Sequence, residues 1–299
     1  MKIVKPDYYD SFRCIADKCR HSCCIGWEID IDEDTLDLYE NIPGEFGDRL
    51  RQGIEYGETA CFKTNECGRC VFFNDRGLCD IILNLGKDTL CDICTDHPRF
   101  RNRFSDRTEM GLGLCCEEAC RLILCREEPV KLIQMSFDDG STPTDDETDF
   151  FADRDEVLGV LHDRSKSLSE RFDTLSREWS VCTEAKSPAE WARFYRSLER
   201  LDSVWDKMLD ILEKQESFAE AEDCTVWENL AVYVIYRHGA SLSLWDSIAF
   251  AIHTVKLLCT ISRAADMVLD EICDLCRMWS SEIEYSEENT DAVIESLID

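Results

Sequence analysis

The sequence predicts a mainly α fold in which a loop-rich N-terminal half, organised by cysteines and metal, precedes a helical bundle. Fourteen of the nineteen cysteines lie between Cys14 and Cys125. Apolar residues recur at helical spacing from about Arg154 onward, and an acidic stretch with little apolar content precedes them. We therefore expect a cysteine-rich metal-binding region at 1–130, an acidic linker or loop at 131–153 and a helical domain at 154–299.

The chain length and the N-terminus bear on the cellular compartment. At 299 residues the chain can bury a core without covalent cross-links. The start, "MKIVKPDYYDSF", has no apolar run of signal-peptide length, and the apolar stretch "SIAFAIHTVKLLCTI" is interrupted by His253 and Lys256. We expect a cytoplasmic protein with no membrane partner. Cysteines in such a chain more often bind metal or perform redox chemistry than form disulfides.

The charge excludes one class of partner. A formal net charge of −30 disfavours nucleic acid, whose phosphates bind basic surfaces. One basic patch interrupts this pattern, in "HPRFRNRFSDR". Its arginines are interpreted as a solvated loop or as partners of nearby carboxylates, with an anion site as the alternative; they are Arg99, Arg101, Arg103 and Arg107.

Short elements punctuated by cysteine and glycine are predicted before residue 126. Helical periodicity is visible in "DEDTLDLYENI" and "CEEACRLILCREE". The stretch "NECGRCVFFNDRGLCDIILNLG" indicates a strand or turn, a turn from Asp75 to Gly77 and a short apolar segment that ends at Gly86.

The second half has the patterns of a helical bundle. Ser187, Pro188 and Glu190 form a capping-box motif, and the apolar residues that follow from Trp191 to Leu212 at spacings of three and four predict one helix. Further helices are predicted at 226–238, closed by Gly239, at 244–263 after Ser243, and at 265–279. We interpret the Met and Trp positions of this half as core and not as a cofactor site.

The cysteines of the first half have spacings typical of metal ligands. They form C-x4-C-x3-C-C at Cys14–Cys24, C-x2-C at Cys67 and Cys70, C-x2-C at Cys91 and Cys94, and a group from Cys115 to Cys125, with Cys61 and Cys79 single. Thiolates spaced two to four residues apart can wrap zinc or an iron–sulfur cluster. The irregular spacing and the scarcity of histidine favour the cluster and leave zinc as the alternative.

The later cysteines and the histidines among the first group are interpreted as structural. The five later cysteines are expected to be inert, because the Cys273 and Cys276 pair lies where i and i+3 share a helical face. His21 and His97 are interpreted as surface or supporting residues, with ligation as the alternative. The nucleotide-binding loop, the nucleophile elbow and the C-x3-C-x2-C motif of radical S-adenosylmethionine enzymes are absent from the sequence.

Three stretches together resemble the flagellin lysine-N-methylase family: "FRCIADKCRHSCCIGWEIDID", "CVFFNDRGLCDIILNLGKDTLCDICTDHPRF" and "EMGLGLCCEEACRLIL". The resemblance covers residues 1 to about 126 in order and spacing, and it is diffuse in the helical half. It implies an enzyme that N-methylates lysine side chains of flagellin with S-adenosylmethionine. It also implies a cysteine-ligated iron–sulfur cluster, expected to be [4Fe–4S], or zinc.

The same resemblance implies a ligand set of eight cysteines and leaves the other six of the first half as extras. The eight are Cys14, Cys19, Cys23, Cys24, Cys70, Cys79, Cys94 and Cys116. The catalytic residues and the S-adenosylmethionine pocket are not identified. The alternative function, from a resemblance to small cysteine-rich zinc or iron chelators, is a metal-binding protein-interaction module without methylase activity.

Methyl transfer requires a neutral lysine amine aimed at the methyl group. Trp27, Glu109, Glu117 and Glu118 are candidates for substrate contact, with helix capping and core packing as the alternative interpretation. Polar transfer is favoured over radical transfer because the usual radical cysteine motif is absent.

Overall fold

The structure, a computed structural model, describes residues 1–137, 140–181, 186–221 and 224–298. Its backbone divides into two compact units. The cysteine-rich unit is Arg13–Arg99, and the helical unit combines Met1–Phe12 with Phe100–Asp299. This division differs from the predicted boundaries at residues 130 and 154, because the first strand pairs with strands far along the chain.

The described residues form thirteen α-helices and six strands, which confirms the mainly α class. The helices are α1 (Glu33–Glu40), α2 (Gly44–Gln52), α3 (Asp80–Leu85), α4 (Asp92–Asp96), α5 (Glu117–Leu124), α6 (Asp145–Leu161), α7 (Leu168–Glu178), α8 (Pro188–Ser197), α9 (Ser203–Glu213), α10 (Thr225–His238), α11 (Leu244–Ala264), α12 (Leu269–Trp279) and α13 (Glu287–Ile298). The strands are β1 (Lys2–Pro6), β2 (Ile54–Tyr56), β3 (Ala60–Phe62), β4 (Arg99–Arg103), β5 (Arg107–Leu112) and β6 (Leu132–Ser136).

A four-stranded sheet of order β4-β5-β1-β6 belongs to the helical unit. β1 runs parallel to β5, with Val4 opposite Glu109, and antiparallel to β6, with Lys2 opposite Ser136. The sequence analysis did not predict this sheet. Its strands are short and its pairings join distant segments, so no local turn signal announces them.

Two helices, α10 and α11, form the centre of the helical unit and are buried along most of their length. Both agree with the predicted ranges: Ser243 caps α11 by accepting from Asp246 N–H, and Gly239 follows α10. His253 lies within this core, where its Nε2 is 3.0 Å from Tyr195 Oη and burial lowers its pKa to about 3. The imidazole is therefore neutral and satisfied.

The apolar composition of α11 has a simple structural reason. It is the one helix in the described part of the chain that is long and apolar enough to cross a membrane. Of its most apolar window, 83% is buried inside the protein. Helices at the centre of a protein core share this composition with membrane spans.

The predicted continuous helix after Ser187 is wrong, because α8 ends at Ser197 and α9 begins six residues later. Between them, the N–H groups of Leu201 and Asp202 donate to the Glu282 carboxylate at 2.9 and 2.7 Å. Asp202 then caps α9 by accepting from Val204 N–H. Leu201, which the apolar period places in the core, is 54% exposed.

The segment predicted as an acidic linker or loop, 131–153, contains β6 and the first part of α6. Thr144 and Glu147 form a capping box at the start of α6, and the acidic residues occupy the first turn. Negative charge is favourable there because of the helix dipole. Asp138 and Asp139 of this segment lie outside the described residues.

The last predicted helix begins later than expected, at Leu269 instead of Ala265. Asp266 adopts a left-handed backbone conformation with φ of 52°, which separates α12 from α11. A π-helical turn, Ser280–Glu284, follows α12.

The cysteine-rich unit has a small core of its own around Tyr39, Leu50, Phe62 and Phe72. The two strands β2 and β3 pair antiparallel, with Ile54 opposite Phe62. The predicted turn is confirmed, since Gly77 has a φ of +72° and its N–H donates to Asn74. The predicted apolar segment forms α3. The helix ends directly before Gly86, whose backbone φ is +96°.

Candidate functional site

Most of the predicted ligand set lies in the cysteine-rich unit. Seven of the eight cysteines belong to it, and Cys116 belongs to the helical unit. The unit also contains the predicted extras Cys61, Cys67 and Cys91. The candidate site is therefore described first from the ten cysteines of this unit.

Backbone pairing brings Cys24, Cys70 and Cys79 onto neighbouring segments. The Cys70 N–H donates to the Cys24 carbonyl at 2.9 Å, beside a bridge between Ile25 and Arg69. A second bridge pairs Phe73 with Cys79. These contacts place three predicted ligands side by side although fifty-five positions separate the first from the last.

The adjacent cysteines Cys23 and Cys24 interact through their side chains. A hydrogen bond with Cys23 lowers the pKa of the Cys24 thiol to about 7, with burial acting in the opposite direction and Ser22 contributing further lowering. The Ser22 hydroxyl also accepts from the Cys24 N–H at 3.2 Å. A substantial fraction of Cys24 is thus thiolate near neutral pH, which is the form that binds metals.

A second pair is formed by Cys91 and Cys94 at the start of α4. A hydrogen bond from the Cys94 side chain, aided by the Cys94 N–H, lowers the pKa of Cys91 despite its burial. Asp32 positions this helix, because its carboxylate accepts from the Asp92 N–H at 2.8 Å and from the Thr35 N–H at 2.9 Å. One aspartate therefore caps both α4 and α1.

Of the remaining thiols near these pairs, Cys70 is buried, and Cys79 and Cys94 are half-buried. Burial raises the pKa of Cys70 to about 11, and the charges of Cys24, Cys79 and Cys91 raise it further. Burial likewise raises the pKa of Cys79, at the start of α3, against hydrogen bonds from two N–H groups of that helix. The hydrogen bond with Cys91 and burial raise the pKa of Cys94, and the charges of Cys91, Cys24 and Cys23 raise it further. We call Cys23, Cys24, Cys70, Cys79, Cys91 and Cys94 the thiol cluster.

The thiol cluster fits a thiophilic metal in donor chemistry, since its groups are sulfur atoms in paired arrangement. Within the described ranges, however, no group of three or more histidine, cysteine, aspartate or glutamate side chains is arranged so that it could hold a metal ion. Cys14 is exposed and Cys19 is half-buried, on either side of a 3-10 turn at Ala16–Lys18. The eight-cysteine ligand set stays a prediction.

The resemblance leaves Cys91 outside the ligand set, yet its side chain is fully buried within the thiol cluster. The sequence does contain a signal that groups Cys91 with the other thiols. Cys91 begins a C-x2-C motif with Cys94, and both residues flank the first turn of a short helix. The resemblance overrode this spacing by assigning only Cys94 to the set.

Cys116 begins α5 in the helical unit, and a buried polar network holds the residues before it. Glu284, in the π-helical turn, accepts from Tyr233 Oη at 3.1 Å and lies 2.9 Å from His238 Nε2. Tyr233 in turn accepts from the Leu114 N–H at 3.2 Å. The start of α5 is therefore fixed by the core.

The four candidates for substrate contact differ in burial and in their ion pairs. Glu109 is fully buried and forms a bidentate ion pair with Arg154, so it cannot meet a substrate. The Glu118 carboxylate, in the first turn of α5, forms an ion pair with the Arg121 guanidinium at 2.7 Å. Glu117 and Trp27 are half-buried and remain accessible.

His97 and the arginines of the basic patch also have surroundings that explain them without a ligand. Burial, with Arg99 beside it, lowers the pKa of His97 to about 4, so that its imidazole is neutral. Arg107 pairs with Asp106 at 3.0 Å, which agrees with the carboxylate-partner interpretation of the basic patch. Arg101 and Arg103 are exposed on alternate positions of β4.

A cavity in the helical unit lies between β1, α5 and α10, and Tyr8, Asn229 and Tyr236 line part of it. Its volume is ≈ 10 Å³, which accommodates about one water molecule. It is therefore too small for S-adenosylmethionine.

The fold and the thiol cluster define a mainly α, cysteine-rich protein with a candidate thiolate site. The chain is 25% identical over 131 residues to a protein named lysine-N-methylase from Salmonella typhimurium, covering 41% of this chain and 32% of that protein. Its similarity to the lysine-N-methylase of Salmonella choleraesuis is 25% over 133 residues, with the same shares of 41% and 32%. A flagellar biosynthetic protein FliU from Salmonella muenchen is 24% identical over 131 residues, covering 41% of this chain and 76% of that protein.

The matched region spans about a third of the length of the two lysine-N-methylases. No family model matches the chain, and no solved structure matches it.

Proposed function

We propose that this protein is a cytoplasmic methyltransferase that moves methyl groups from S-adenosylmethionine to lysine side chains of flagellin. The observation that carries the proposal is the similarity of 131 residues to a protein named lysine-N-methylase. The flagellar assignment is supported by the similarity to a flagellar biosynthetic protein.

The proposed reaction is a direct displacement. The neutral lysine nitrogen attacks the sulfonium methyl carbon, the carbon–sulfur bond breaks, and S-adenosylhomocysteine leaves. The product is a methylated ammonium, which keeps its charge near neutral pH, so the proton released overall is the one that the lysine loses before attack. Lysine is protonated near neutral pH, so the site must desolvate or deprotonate the amine before attack.

Accessible residues suit this substrate. Two half-buried residues, one in each unit, have side chains of the kind that meets an ammonium group: Trp27 through cation–π contact and, separately, Glu117 through its carboxylate. The net charge of −30 attracts lysine-rich surfaces over long range.

The proposal includes a thiolate-bound metal group in this protein, a [4Fe–4S] cluster or alternatively zinc. The thiol cluster supports it with six sulfur-bearing residues, and the resemblance adds Cys14 and Cys19 of the same unit. The resemblance also implies Cys116, which lies in the helical unit, as a ligand. When bound, such a group would hold the loops of the cysteine-rich unit together and supply a Lewis-acidic or electron-transferring centre.

Anaerobic purification followed by iron, sulfide and zinc analysis and a visible spectrum tests the metal. Incubation of that protein with S-adenosylmethionine and cognate flagellin, followed by intact-mass analysis, tests the reaction. We expect flagellin to gain mass in steps of one methyl group, and to gain none when S-adenosylmethionine is omitted.

A fully metallated protein that neither methylates flagellin nor binds S-adenosylmethionine by calorimetry would contradict the enzyme. That result would support the metal-binding interaction module instead. Pull-down of flagellin by the inactive protein would then identify the partner.

A further inference from the structure

Two cysteines outside the predicted ligand set meet in the helical unit. Cys125 directly follows α5, and Cys273 lies in α12. Their Sγ atoms are 3.5 Å apart although 148 positions separate them in sequence. Cys125 is exposed and Cys273 is half-buried, so a solute can reach the pair.

Neighbouring groups fix this geometry. The Cys120 thiol, on α5, donates to the Cys273 carbonyl at 3.1 Å. Cys120 and Cys276 are both buried, at 1% and 0% exposure, which shields them from solutes. The exposed Cys125 is therefore the cysteine of this group that an oxidant meets first.

Charged side chains near the pair both lower and raise the pKa of its thiols. Arg121, one turn before Cys125, is close enough to interact electrostatically with the sulfurs of Cys125 and Cys273. Asp270 opposes this effect at both sulfurs. The hydrogen bond with Cys273 and burial outweigh Arg121 and raise the pKa of the Cys125 thiol, so thiol–disulfide exchange at Cys125 proceeds through a minor thiolate form.

We propose that Cys125 and Cys273 form a modification site, a dithiol that small-molecule disulfides such as oxidised glutathione convert into an intramolecular disulfide. The Cys125 thiolate attacks one sulfur of the oxidant, and one molecule of the reduced thiol leaves. The Cys273 thiol loses its proton to solvent and attacks the Cys125 sulfur, which releases the second thiol. Two protein thiols are oxidised and one small-molecule disulfide is reduced to two thiols.

The geometry requires only local movement. The sulfurs must approach from 3.5 Å to the ~2 Å of a disulfide. The product joins the C-terminal end of α5 to α12. Since Cys116 is the residue directly before α5, the bond fixes the helix that follows that cysteine.

The test uses the full chain, fully reduced and then freed of reductant. Oxidised glutathione is added, the remaining thiols are alkylated, and the digest is analysed without reduction. We expect a cross-linked peptide pair containing Cys125 and Cys273, lighter by two hydrogen atoms than the two reduced peptides, which disappears after reductant is added back.

Cys125→Ser and Cys273→Ser should each abolish this peptide pair, whereas Cys67→Ser, which removes an exposed thiol of the other unit, should retain it. Because Cys125 is exposed, Cys125→Ser is expected to fold even if Cys273→Ser does not. The site is refuted if wild-type protein keeps glutathione on Cys125 without closing the bond, or if Cys273 pairs mainly with Cys120.

Discussion

At the scale of single residues, the ion pair between Glu109 and Arg154 is the most buried charged contact of the helical unit. The guanidinium donates to both carboxylate oxygens at 2.7 and 2.6 Å, and the two side chains are 0% and 2% exposed. The rings of Phe150 and Tyr236 lie 5.3 and 5.6 Å from the guanidinium carbon. Neither charge has water as an alternative partner, so each depends on the other.

Arg154→Met should therefore destabilise the protein by roughly 3–5 kcal/mol, because it leaves the Glu109 carboxylate buried without a counter-charge. Urea denaturation followed by circular dichroism measures the change. The double variant Arg154→Met with Glu109→Leu should recover most of the loss. Asp48→Asn, which breaks the exposed pair with Arg51, is the control and should cost less than ~1 kcal/mol.

A role for Glu109 in substrate contact was a reasonable prediction from its proximity to Cys115 in sequence. Its partner is 45 positions away, and no local pattern reveals such a pairing. The cysteines behave differently. Their spacing predicts a metal site in the first half, and the thiol cluster lies there, while the metal site itself stays a prediction. The pairing of Cys91 with Cys94 depends on a short helix whose side-chain contacts the sequence does not specify.

The place of Cys91 in the thiol cluster leads to a second prediction, which depends on the proposed metal. Cys91→Ser should lower the bound iron or zinc per chain as strongly as Cys24→Ser does, although the resemblance gives Cys91 no role. Cys67→Ser, at an exposed position, should leave the metal content unchanged. Elemental analysis of anaerobically purified protein measures all three. Full metal content in Cys91→Ser would restore the eight-cysteine set.

At the scale of elements, the start of α6 shows how an acidic stretch becomes ordered. Glu147 accepts from the Thr144 N–H at 2.9 Å and from the Ser105 N–H and hydroxyl at 2.8 and 3.0 Å. Burial raises the pKa of Glu147, but these hydrogen bonds outweigh it, and the net pKa lies below the ordinary 4.5. One carboxylate thus closes the capping box and ties the turn after β4 to α6.

The lowered pKa has a definite consequence for stability. The carboxylate of Glu147 stabilises the fold above its ordinary pKa, and this contribution is lost as the pH falls through its lower folded pKa. Glu147→Gln should cost roughly 1 kcal/mol near neutral pH, and the difference from wild type should shrink as the pH falls below 4.5. Urea titrations at several pH values measure it.

Glu156→Gln, at an exposed position of the same helix, is the matched control and should change the free energy of unfolding by less than ~0.5 kcal/mol. A loss for Glu147→Gln that is equally large at low pH would show that the side chain acts through packing and not through its charge.

Helices with strong local signals were predictable, and those shaped by distant contacts were not. α10 and α11 carry both an apolar period and a terminal glycine or serine cap, and their predicted ranges agree closely with the structure. The break between α8 and α9 depends on Glu282, about eighty positions downstream. An apolar period that continues across a break cannot show where the backbone stops being helical.

At the scale of the whole molecule, the two units have different sources of stability. The helical unit has an extensive aromatic and aliphatic core, with Trp191, Trp205, Trp227 and Trp279 almost completely buried. The core of the cysteine-rich unit is small, and thiols form part of it, including the buried Cys70 and Cys91. If the proposed metal binds to the thiol cluster, its binding free energy would contribute directly to the folding of this unit.

On the proposed metal binding, a chelator added to the purified protein under reducing conditions should loosen the cysteine-rich unit and leave the helical unit folded. Hydrogen exchange detected by mass spectrometry measures the protection of each unit separately. Peptides from 13–99 should exchange faster after chelation, with the largest change in the segments that contain Cys24, Cys70 and Cys91, while peptides from α10 and α11 should keep their protection. Readdition of the metal should restore the original rates. Equal acceleration in both units would mean that they unfold as one cooperative body, and unchanged exchange throughout would mean that the thiol cluster is stable without a metal.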